Sequence, residues 1–122
     1  PHVLARAFDP REFDLLGEAT FRDHESGLTI DMYAIEDDAQ RWAFDGAILE
    51  PFEGARPVRV LTPDGLALML LREASHGDPK RRPLRLRDIE LMAINNQLDR
   101  DLLASWATRM GYDKAFADVR FG

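Results

Sequence analysis

Apolar positions recur every second residue in one stretch of this chain and every third or fourth in another, and the change falls near residue 62. Within ESGLTIDMYAI (25–35), Leu28, Ile30 and Met32 alternate with Thr29, Asp31 and Tyr33. A period of two predicts a strand with an apolar row on one face and a polar row on the other. Asp31 stands in the middle of the polar row, where a central strand would hold a carboxylate in a fixed direction suited to a metal ligand or general base. From spacing alone, a solvated residue on a half-buried sheet is the commoner case.

Punctuation around that strand predicts the other elements. Asp9, Pro10 and Glu12 have the types and spacing of a cap, first residue and third residue of a helix, giving a short helix over about 10–19. Thr20 to Asp23 then reads as a short strand, and the turn residues His24 to Gly27 make a hairpin with the strand carrying Asp31. Acidic Glu36, Asp37 and Asp38 favour a helix start, with Gly46 near its end. Ile48 to Phe52 and Val58 to Leu61 are short extended segments separated by Glu53 to Arg56 and make a second hairpin, with Pro51 and Pro57 confining them to edges or strand starts.

Beyond residue 62 the helical period takes over. Thr62 followed by Pro63 is a cap and first-turn pair, and Leu66, Leu68, Met69, Leu70 and Leu71 spread apolar side chains nearly all round, which predicts a buried central helix over about 63–75. Lys80 to Pro83 reads as a basic loop leading to a helix over about 86–95, with Ile89, Met92 and Ala93 on one face. Asp99 caps a last long helix whose Leu102, Leu103, Trp106, Ala107 and Met110 repeat at helical spacing. Gly111 supplies its left-handed stop, and Asp113 to Val119 adds a further turn or two. The expected fold is α+β: a small mixed or antiparallel sheet packed by helices (1–61), then a helical C-terminal half (62–122), in one domain.

Composition narrows the function classes. The 122 residues contain no cysteine, which excludes disulfides, thiolate metal sites and a cysteine nucleophile. No apolar run reaches the length of about 20 residues needed to span a bilayer, and no export signal is visible, so the expected address is the cytoplasm, with no membrane partner. A formal charge of −6 argues against a DNA-binding surface of the whole-protein kind. The charge is nevertheless segregated: Lys80, Arg81, Arg82, Arg85 and Arg87 put five positive charges in eight residues. The histidines lack the paired spacing of a zinc site. Trp42 and Trp106 read as core or interface aromatics.

Taken in order, HESGLTIDMYAI, RPVRVLTPDGLALML, RLRDIELMAI and LDRDLLASWATRMG resemble the later part of small bacterial nucleotidyltransferases related to abortive-infection and toxin-antitoxin systems. The resemblance spans most of the chain. It implies that Asp31 is the third active-site carboxylate, a Mg²⁺ ligand that positions the metal and orients the attacking hydroxyl. It further implies transfer of a nucleoside monophosphate from an NTP to an RNA or protein acceptor. In such a site Arg85 and Arg87, with Lys80 next, would hold the triphosphate, since guanidinium forks match phosphate oxygens. A solvated basic segment balanced by Asp88 and Glu90 is the competing reading. The family's Gly-Ser pair followed by Asp-x-Asp is absent from these residues. Either another segment supplies the missing carboxylates, or the scaffold serves as a non-catalytic module that binds a protein partner or a second copy.

Overall fold

A computed structural model describes residues 18–22, 29–51 and 57–121 of the chain. The fold is α+β with a helical C-terminal half, and the chain divides into two compact units, Pro1–Asp37 and Asp38–Gly122.

In the first unit, β1 (Glu18–Arg22) pairs antiparallel with β2 (Thr29–Tyr33). The expected hairpin is present, with Thr20 opposite Asp31 and Phe21 opposite Ile30. Its first strand begins two residues earlier than the sequence suggests, so Glu18 and Ala19 belong to β1 and not to a helix. The rest of the expected 10–19 helix and the turn at 24–27 lie outside the described residues.

The second unit opens with α1 (Asp38–Asp45), which ends as Gly46 N–H donates to Trp42 O at 3.0 Å. A second antiparallel hairpin follows, β3 (Ile48–Glu50) with β4 (Val58–Val60), in the register Ile48↔Val60 and Glu50↔Val58. The strands therefore form two separate two-stranded sheets among the described residues, both antiparallel.

Helix α2 (Pro63–His76) is the element on which this unit is built. Thr62 Oγ1 accepts from Gly65 N–H at 3.0 Å and satisfies one of the donors that a helix start leaves open. Helices α1, α3 (Arg82–Asn95), α4 (Arg100–Met110) and α5 (Asp113–Asp118) all pack against α2. Leu68 and Leu71 of α2, Ile89 of α3 and Leu103 of α4 are fully buried, with Tyr112 at the α4–α5 junction. At Gly65 the approach of α1 is close enough that an added Cβ would touch the Ala43 side chain at 3.6 Å. The helix is central as expected, but it is not buried all round, since Leu66 remains 42% exposed.

Two features at the ends of α4 follow the sequence signals. The Asp99 side chain accepts from Leu102 N–H at 3.0 Å, and Gly111 closes the helix in the left-handed region with φ of 79°. Asp99 also joins α4 to α2, because its own N–H donates to Asp64 Oδ1 at 2.9 Å. Replacing Asp99 by Ala should cost about 1 kcal/mol of stability, the usual value of a lost N-cap. Urea unfolding monitored by circular dichroism measures this, and an unchanged midpoint would show that the cap is idle.

Helix α1 is fixed to α4 from outside the core. Arg109 donates to Asp38 Oδ2 at 2.8 Å and lies over the Trp106 ring at 4.8 Å, while Trp42 and Trp106 meet with ring centroids 5.7 Å apart. Both tryptophans are partly buried against the core, in agreement with their expected packing role.

Candidate functional site

The basic segment is helical where a loop is expected. Asp78 accepts from Lys80 N–H at 3.0 Å and caps a single 3₁₀ turn, Pro79–Arg81, which runs directly into α3 at Arg82. Pro83 is accommodated because a proline in the first helical turn gives up an N–H that has no partner in the helix. The result places Lys80, Arg81, Arg82 and Arg85 around the positive end of a helix dipole, an arrangement that disfavours cations unless an anion is near.

Two of these charges are engaged within the unit. Arg82 donates to Asp118 Oδ2 at 2.7 Å and ties α3 to α5, and Arg85 lies 3.8 Å from Asp88 one turn along α3. Lys80 and Arg81 are exposed. Arg85 and Arg87 do not converge. Residues two apart on a helix project to opposite sides, and Arg85 is half-buried while Arg87 is exposed. Arg81 and Arg85, four apart, share a flank, so Arg81 is the partner that linear proximity to Arg87 obscured.

Asp31 is the central residue of β2 and has Thr20 as its cross-strand neighbour. It lies in the Pro1–Asp37 unit, and the basic segment lies in the other. Among the described residues, no group of three or more His, Cys, Asp or Glu side chains could hold a metal ion. Mg²⁺ is commonly held by one or two carboxylates together with substrate phosphates and waters, and a two-metal site needs more than one.

An open cleft of about 990 Å³ adjoins the basic turn, lined by Ser75, Gly77, Arg82, Lys114 and Asp118 among others. The Ser75 hydroxyl is enclosed there, with no hydrogen-bond partner among the described residues. Nothing in the sequence announces this cleft, because the fold brings residues 74–82 against residues 111–118 through the α2–α5 contact. The His76 and Tyr112 rings meet edge to face on the same end of α2, with centroids 5.2 Å apart. Among the described residues, no helix is long and apolar enough to cross a membrane.

No family model, curated protein or solved structure matches this chain. What the fold defines is a small α+β protein whose second unit is a cluster of helices around α2.

Proposed function

We propose that the chain is a nucleotidyltransferase-like domain that binds the phosphates of a nucleotide through Lys80, Arg81 and Arg85 of its second unit, and that Asp31 of its first unit is a Mg²⁺ carboxylate. The observation that supports this reading is the gathering of cations at the start of α3, where the helix dipole adds to their charge. Transfer of a nucleoside monophosphate to an RNA or protein acceptor additionally needs carboxylates from another segment.

Calorimetric titration with each of the four NTPs in Mg²⁺ tests the reading. Binding is expected to be lost in EDTA and in Asp31→Asn, and to weaken at least about tenfold in Arg81→Ala/Arg85→Ala, which removes two charge-assisted contacts. Failure of every NTP to bind folded protein would sink it.

A second reading is a non-catalytic interaction module on the same scaffold. It is favoured by the apolar side chains that α3 leaves in solvent: Leu84 is 62% exposed, Leu91 44% and Ile94 76%.

A further inference from the structure

Helix α3 buries one side and leaves large apolar side chains on the other. Leu86 and Ile89 face the core, whereas Leu84 and Leu91, seven residues apart and so on one stripe, lie opposite. The stripe is not continuous with the core, but it borders a groove of about 360 Å³ between α2 and α3, lined by Leu66, Leu70, Asp88, Leu91 and Met92. Arg87 and Asp88 occupy the middle of this exposed side, between the two leucines.

The order Leu84, Arg87, Asp88, Leu91 is self-complementary under a two-fold axis. When two α3 helices cross antiparallel with the axis between residues 87 and 88, each Leu84 meets the other copy's Leu91, and each Arg87 meets the other copy's Asp88. An isologous contact requires this reciprocity, in which residue i touches j and j touches i. The charges also select the register. Moving the axis one turn, to residue 91, would place Asp88 against Ile94 and Arg87 against Asn95, which forfeits both charge pairs across the axis. Moving it to residue 89 would set Asp88 against Glu90, two like charges.

We propose that α3 is a homodimer interface, in which Leu84 of one copy enters the α2–α3 groove beside Leu91 of the other and Arg87–Asp88 pairs flank the axis. The occupant of the exposed face is thus a second copy of this chain. The inference rests on the interaction-module reading for its exposed leucines, and it does not depend on nucleotide binding. One helix pair with a groove contact is at the small end of specific interfaces, so the association is weak and reversible.

Sedimentation equilibrium of the 122-residue chain over a range up to roughly 1 mM reads the association constant directly. A monomer–dimer equilibrium is expected, weakened at least about tenfold by Leu84→Asp and by Leu91→Asp, each with an unchanged circular dichroism spectrum. Arg87→Asp and Asp88→Arg, each alone, should also weaken self-association. An equimolar mixture of these two variants should pair preferentially, because every charge contact across the axis is then between opposite signs. A single-species monomer throughout, or a dimer indifferent to the leucine substitutions, would overturn the proposal. Like behaviour of the charge variants alone and mixed would overturn the antiparallel register. A monomer would leave binding to a different protein standing, so this inference and the interaction-module reading fail separately.

Discussion

Leu68→Ala is expected to lower the free energy of unfolding by about 3 kcal/mol, the middle of the range for a leucine removed from a packed interior. Leu68 is fully buried on α2, the helix against which α1, α3, α4 and α5 all pack. A cavity there is bounded by several helices, and collapse of one neighbour would pull it away from another, so relaxation recovers little of the loss. For a protein of this size the corresponding fall in melting temperature is roughly 10 °C. Leu66→Ala, two residues earlier on the same helix, is the internal comparison. Its side chain is 42% exposed, and the change should stay within about 1 kcal/mol. Differential scanning calorimetry on the pair decides the matter. Equal losses would mean that α2 is covered on both sides.

The second large effect is expected at Gly77, where α2 ends. Its N–H donates to Glu73 O at 2.8 Å, and an added Cβ would lie 2.5 Å from that same carbonyl oxygen and 3.0 Å from Glu73 Oε2. The side chain can swing aside, but the carbonyl cannot, because it is held by the helix. Gly77→Ala should therefore cost about 2 kcal/mol, in the range of overpacking that forces a backbone shift. Gly111→Ala is a different case: there is open space around the Cβ position, and only the positive φ of 79° opposes the side chain. That penalty is about 1 kcal/mol. Chemical unfolding of both variants should rank Gly77→Ala as the more damaging, and the reverse order would show that the α2 terminus adjusts freely.

Much of the helical half was legible because its boundary signals are local. Thr62 with Pro63 caps α2 as expected, and Asp99 and Gly111 bracket α4. Both hairpins were also visible, since alternation and turn residues act over a few positions. The start of α3 was not. Four cations around a helix N-terminus run against the dipole, and the 3₁₀ turn capped by Asp78 carries the chain into the helix. Leu66 misled for a related reason: a helix that is apolar all round implies complete burial only when something covers every side.

The candidate site was legible in its parts and not in its arrangement. Lys80 and Arg85 could be picked out by charge alone. Their grouping with Arg81 instead of Arg87 depends on residue 85 being inside a helix, which a loop reading of 80–83 leaves undetermined. Ser75, Lys114 and Asp118 were invisible as neighbours, because their proximity comes from the packing of α2 on α5 over some forty residues of chain.

The contact between Trp42 and Trp106 has an optical consequence. The chain contains two tryptophans, and they touch each other at the junction of α1 and α4. Its entire indole emission thus originates from one spot, with the Arg109 guanidinium resting on one of the two rings. Intrinsic fluorescence in this protein is a gauge of whether α1 is seated on α4, and a change in its intensity or wavelength reports that single joint before any other part of the helical unit.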